Sequence, residues 1–224
     1  MATHYDLSRV TLERFRSEVA GQQPMPAGVA VAAVAAGFAL GLVAKVLAVV
    51  GRRSEQPPET TARLEPLART AQAGSQRMLQ LAGDDTAAFE VYLTARRLPH
   101  STESERQARQ EAIDTAVRRA IDLPLAAAQK AAAGLQLCSE VSAFTPVALA
   151  ADVGVAATLL AAALRGFLLC AESNVRQLAL DAAPYRERLA TETKWHEQAL
   201  QQADAVLERV RTVVETAATP GAEP

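Results

Sequence analysis

Between Pro146 and Leu164 the chain reads Pro-Val-Ala-Leu-Ala-Ala-Asp-Val-Gly-Val-Ala-Ala-Thr-Leu-Leu-Ala-Ala-Ala-Leu, an apolar run whose one ionisable residue is Asp152. An ionised carboxylate in such a setting loses several kcal/mol of solvation unless something pairs with it, so Asp152 sits at a helix end, faces a cavity or titrates upward. Pro146 can open a helix, and Asp is tolerated in a first turn, which gives a structural reading. A carboxylate placed for chemistry is the other reading.

The same run sets the fold class. Hydrophobic residues make up 50% of the 224-residue chain but aromatics only 4%, and alanine carries much of the difference. Small, helix-forming side chains favour close helix–helix packing over strands, which need β-branched bulk. The expected fold is all-α, an up-and-down helical bundle with Ala-rich central helices, forming one domain over residues 1–217 with a disordered tail at 218–224. The formal net charge of −2 comes without a Lys/Arg block that could track phosphates, so nucleic acid is not an expected partner. Cys138 and Cys170 lack metal-ligand spacing and read as small buried residues of a reducing cytoplasm. The N-terminal residues lack the order of a secretory signal, which also favours the cytoplasm.

In chain order, Leu12, Phe15 and Val19 mark a short amphipathic helix within Asp6 to Ala20. After Pro24-Met-Pro-Ala-Gly28 comes Val29 to Val50, charged only at Lys45. Ala27 to Ala44 is uncharged for 18 positions, the length at which a membrane span is first considered. Its hydrophobicity is mostly Ala and Gly and it lacks aromatic belts, so a central helix of a bundle is the preferred reading. A helix over Glu59 to Leu81 stops at Gly83, and Asp84-Asp85 caps a further helix that closes at Leu98-Pro99. Thr102-x-x-Glu105 fits a capping box, and the helix it opens continues through Pro124 to Leu137. The run from Val147 extends to about Ala183, and the last helix, Tyr185 to Thr216, carries a seam of Trp195, Ala199, Ala203, Val206, Val210 and Val213. His4, His100 and His196 have polar neighbours and read as surface residues.

Gly-rich phosphate loops, metal-binding histidine sets and nucleophile elbows are absent from the sequence. Five elements occur in order instead: Pro24-x-Pro-x-Gly28, Asp85-x-x-Ala-Phe89 leading to Leu98-Pro99, Thr102-x-x-Glu105-x-x-x-Arg109, Ala116-x-x-x-Ala120-x-x-x-Pro124-Leu125, and Asp152-x-Gly-Val-Ala156. Together they resemble the formiminotetrahydrofolate cyclodeaminase and methenyltetrahydrofolate cyclohydrolase family, from about Leu12 to Asn174.

The resemblance implies a helical homodimer that binds tetrahydrofolate derivatives, without a metal, in a pocket built partly at the subunit interface. It implies hydrolysis of 5,10-methenyltetrahydrofolate to 10-formyltetrahydrofolate, or ring closure of 5-formiminotetrahydrofolate with loss of ammonia. Both reactions pass through a tetrahedral carbon between N5 and N10, and the methenyl species is a cation. A carboxylate in a dry pocket can pair with that cation and relay a proton. Asp152 is the first candidate for this role and Asp85 the second, capping having an equal claim on Asp85. Substrate contacts fall to Pro26 and Gly28 at the turn, to Asn174, and to Arg52 and Arg53, which either receive folate carboxylates or simply end a helix.

Departures from the family pattern cluster at the same places. Its Pro-x-Pro-Gly-Gly-Gly loop is Pro24-Met-Pro-Ala-Gly-Val29 here, Ala151 replaces a Ser, Cys170 replaces the first Asn of an Asn-Val-x-x-Asn element, and Lys45 replaces an apolar residue. These changes remove polar site groups and leave the apolar periodicities intact. Three alternatives follow: a divergent folate-binding or helical interaction protein without turnover, an enzyme of the same fold acting on a non-folate substrate, and a membrane-associated protein spanning through Val29–Val50 and Val147–Leu164.

Overall fold

The computed structural model describes residues 7–52, 58–179 and 182–217, so His4, Arg53 and the tail at 218–224 lie outside the described residues. A 3-10 turn at Leu7–Arg9 precedes α1 (Leu12–Val19), α2 (Gly28–Gly51), α3 (Pro58–Arg96), α4 (Glu103–Ser142), α5 (Val147–Val175) and α6 (Ala182–Ala217). No strand occurs among the described residues. Thr11 caps α1 by accepting the Arg14 N–H, and Thr102 with Glu105 forms the expected capping box on α4.

The bundle is organised by α2. Ala30, Ala33, Ala36, Ala39, Val43 and Val46 are all sealed from solvent, and α2 packs on α3 and α5 at once. Small residues let these axes come close. A Cβ on Gly37 would lie 3.3 Å from the Ser75 carbonyl, and one on Gly134 of α4 would lie 3.1 Å from both Leu160 of α5 and Leu40 of α2. Ser75 also donates its hydroxyl to the Gly37 carbonyl at 2.7 Å, pinning α3 to α2.

Cross-helix contacts fix the register. Gly37 faces Leu79 and Gly51 faces Leu64, so α2 and α3 are antiparallel, with Gly28 level with about residue 86. Gly28 faces Cys170, Gly166 faces Ala32, and Lys45 meets Asp152, so α2 and α5 are antiparallel too. Arg63 pairs with Glu140 across α3 and α4, while Arg188–Asp122 and Gln129–Glu192 run α6 parallel to α4.

Both α2 and α5 are long and apolar enough to cross a membrane, and an apolar 18-residue window in each is 56% and 50% buried inside the bundle. The remaining faces expose Val31, Phe38, Val49, Val155 and Leu169.

Six expectations need correction. Gly83 does not stop a helix: α3 runs through Gly83, Asp84 and Asp85, because Leu81, Ala82 and Ala88 are buried on one continuous stripe. A mid-helix glycine costs about 1 kcal/mol, which packing of this length outweighs. Asp85 therefore caps nothing. The α5 helix ends at Val175 rather than near Ala183, in a turn whose Leu178 is buried and whose Ala179 N–H donates to Asp114. On α6 the buried seam passes through His196, Ala199, Ala203 and Val206, whereas Trp195 is exposed. Alternating three and four spacing selects His196, which is consequently a core residue and not a surface one. Cys138 is buried as expected, but Cys170 is only partly so.

Candidate functional site

Residues expected to form one site are distributed over the two ends of the α2–α5 pair. At one end stand the start of α2, Asp85 and the last turns of α5. Pro26 is buried, and Gly28 opens α2 behind Ala27, whose side chain supplies no cap. Among the described residues no side chain caps the first amides of α2, at the positive end of the helix dipole. Cys170 lies against this turn: its Sγ would be 3.2 Å from a Cβ on Gly28. Because the antiparallel register puts Gly28 level with Asp85, the three residues form one cluster.

Asp85 is 8% exposed, and no hydrogen bond or ion pair reaches it from the described residues. Burial pushes its carboxyl from the ordinary 3.8 up to about 6. The Cys170 thiol is raised by its own burial and then by the Asp85 charge, a sign of their closeness. A carboxyl titrating near 6 is poised to give and take protons near neutrality. Its neighbour Asp84, by contrast, faces outward to Arg77 at 3.1 Å.

Asn174 belongs to this end, one turn beyond Cys170. Its Nδ2 donates to the Ala120 carbonyl at 2.7 Å, so the amide ties α5 to α4. Sequence reasoning missed Asp114 of α4, which is 1% exposed. Its Oδ1 accepts from Gln110 and from the Ala179 N–H, while Oδ2 is buried without a partner. Nothing in its neighbourhood sets it apart from Glu111 or Asp122, because the fold of the α5–α6 turn over it creates the burial. His196 was misread for a similar reason. Its Nδ1 lies 2.5 Å from the Glu192 carbonyl, and its Nε2 is buried without a partner.

At the other end lies Asp152, in the second turn of α5, with Lys45 Nζ 2.9 Å from its Oδ2. The side chains are 58% and 32% exposed, so this is a solvated pair. Cys170 is 18 positions further along α5, which places the two ends about 27 Å apart within one protomer. Arg52 is exposed just past the C-terminus of α2, a helix of 24 residues, and so stands about 36 Å from Gly28. Among the described residues no group of three or more His, Cys, Asp or Glu side chains could hold a metal ion.

An all-α bundle with a buried, unpaired carboxylate beside an open helix start is the class of protein that fold and site define. The chain matches the family model described as Formiminotransferase-cyclodeaminase over residues 11–194, and it belongs to that family. It is 30% identical over 203 residues to the formimidoyltransferase-cyclodeaminase of Sus scrofa, spanning 89% of this chain but only 36% of that protein. It is 28% identical over 207 residues to the methenyltetrahydrofolate cyclohydrolase of Methylorubrum extorquens, spanning 92% of this chain and 96% of the relative. The crystal structure of formiminotetrahydrofolate cyclodeaminase from Thermotoga maritima superposes with a TM-score of 0.77 at 21% identity, covering 95% of this chain and all of that one.

Proposed function

We propose that this chain is a folate one-carbon enzyme, hydrolysing 5,10-methenyltetrahydrofolate or cyclising 5-formiminotetrahydrofolate, with Asp85 as its acid/base group. The observation that carries the reading is the Asp85 carboxyl, buried, unpaired among the described residues and held near 6 beside a start of α2 that Ala27 does not cap. In hydrolysis, the carboxylate takes a proton from water as the water oxygen bonds to the carbon between N5 and N10. It then returns that proton to N5 as the N5–carbon bond breaks, and the remaining O–H proton leaves to solvent as the formyl C=O forms. In cyclisation N10 bonds to the formimino carbon and its proton passes to the formimino nitrogen, and the protonated carboxyl gives that nitrogen a second proton as its bond to carbon breaks and ammonia leaves. A titration point near 6 keeps both forms available in neutral solution.

In this reading Pro26 and Gly28 form a wall of the pocket, and Asn174 fixes the α5 turn that carries Cys170. Asp152, balanced by Lys45, and the distant Arg52 stand outside the reacting site of their own protomer. The protein works as a homodimer in the reducing cytoplasm, a second copy covering the apolar side chains exposed by α2 and α5.

The test is the absorbance decay of 5,10-methenyltetrahydrofolate with wild-type, Asp85→Asn and Asp152→Asn proteins, corrected for spontaneous hydrolysis. Acceleration by the wild type and by Asp152→Asn, but not by Asp85→Asn, is the expected pattern. The reverse pattern would move the chemistry to Asp152. No acceleration by any of the three excludes hydrolysis of this substrate, and formimino cyclisation followed by folate binding is then measured.

The Lys45–Asp152 pair favours a second reading, a folate-binding protein without turnover, because it neutralises the carboxylate of the Asp152-x-Gly-Val-Ala156 motif. Saturable folate binding without either reaction would establish it.

A further inference from the structure

We propose that Cys170 is a positioning residue for Asp85: its thiol fills the space between the first turn of α2 and the carboxylate without pairing with it, leaving Asp85 free to exchange a proton. The inference rests on the reading of Asp85 as the acid/base group.

Geometry places Cys170 there. Its Sγ abuts the backbone of Gly28, and the antiparallel register brings Asp85 to the same level. The polar residue one turn further on, Asn174, spends its amide on the Ala120 carbonyl. Phe167 and Ala171, to either side of Cys170, are fully buried apolar residues. A thiol is a weak donor, whereas the Asn of the family pattern would present two N–H donors to the same carboxylate. Donation to the charged form favours that form and holds the carboxylate in one orientation. A cysteine at this position leaves Asp85 in a drier, less committed state.

Among the described residues few other charges lie on the helices around this point. The single charged side chain of α2 is Lys45, at the far end. On α3, Asp84 is paired with Arg77; on α5, Glu172 is paired with Arg176. On α4, Asp114 accepts from Gln110, Asp122 pairs with Arg188, and Arg118 has its Nε buried without a partner.

Two measurements test the proposal. In the first, iodoacetamide alkylation of the folded protein is followed against pH. Cys138 is sealed in the core and its thiol is pushed up to about 12, so Cys170 is the thiol that reacts. Asp85→Asn removes a neighbouring negative charge and is expected to move the Cys170 profile to lower pH, with a rate increase of about twofold or more at fixed pH. An unmoved profile would overturn the proposal without reference to any substrate.

In the second, the pH dependence of kcat/KM for the folate reaction is compared among wild type, Cys170→Ala and Cys170→Asn. The acidic limb is expected to move down by about one pH unit in Cys170→Asn, and less in Cys170→Ala. Coincident limbs in all three proteins overturn the positioning role. A shifted alkylation profile in a protein that turns over no folate would support the Cys170–Asp85 contact while overturning the folate reading.

Discussion

Asp152 and Asp85 stand at opposite ends of the α2–α5 pair, and the fold treats them in opposite ways. Asp152 comes from the most apolar run of the sequence yet is half-buried and joined to Lys45 at 2.9 Å. Asp85 comes from a polar Gly-Asp-Asp segment that looks like a turn, yet it is buried and, among the described residues, unpaired. The composition around a charged residue along the chain is therefore a poor guide to its surroundings in space. What decides is which side of its helix the residue occupies and what crosses that side.

The two ends are separated most sharply by turnover. Removing a general acid/base group typically costs on the order of 10²–10⁴ in rate. Asp85→Asn is expected to lose at least a hundredfold in kcat in the methenyltetrahydrofolate decay assay, on the order of the lower limit for such a group. Asp152→Asn is expected to retain most of the activity. Equal losses in both variants would erase the distinction between the ends.

Stability gives the next largest effect, with a sign that is unusual for a carboxylate. Asp85 holds its proton more tightly when folded, near 6, than when unfolded, at its ordinary 3.8. Its contribution is fully present below the unfolded value, declines between the two and is lost as pH rises through about 6. The buried charge then costs the folded state up to about 3 kcal/mol at neutral pH. Asp85→Asn is expected to raise the urea midpoint at pH 8 and to flatten its change between pH 4 and 7. An Asp85→Asn protein less stable than wild type at pH 8 would show that the carboxylate has a stabilising partner.

Gly134 provides a control midway between the ends. A methyl group there would lie 3.1 Å from Leu160 and Leu40, both buried. Overpacking of this kind costs about 1–3 kcal/mol. Gly134→Ala is expected to lower the thermal midpoint while kcat per folded molecule holds, since neither end is touched. A matching fall in kcat would tie the two ends together through the middle of α5.

Most of the fold was legible because periodicity reports burial. The Ala-rich stripe of α2, the Thr102 capping box and the passage of α4 through Pro124 follow from local spacing and cap chemistry. Gly83 misled because a glycine before two aspartates is also what a helix end looks like, and only the stripe from Leu81 to Ala88 resolves it. The family resemblance gave the family but not the grouping of its motifs in space. Within one protomer it is the antiparallel register of α2, α3 and α5 that sends Gly28, Asp85 and Cys170 to one end and Lys45, Asp152 and Arg52 to the other. Asp114 and His196 were illegible, since each is buried by a helix or turn distant in sequence.

The smallest expected effect concerns Lys45. Its pair with Asp152 is solvated on both sides, and exposed pairs contribute about 0–1 kcal/mol. Lys45→Met is expected to shift the thermal midpoint by no more than a degree or two, on the order of what such a pair contributes. Turnover should stay within about twofold if proton transfer belongs to Asp85. The variant also restores the apolar residue of the family pattern and leaves Asp152 unpaired. Were Asp152 the working carboxylate, its release would raise kcat/KM for the cationic methenyl substrate, because the site would regain a full negative charge. A tenfold rise in Lys45→Met that vanishes in Lys45→Met/Asp152→Asn would therefore reverse the comparison and make Lys45 a brake on the second end.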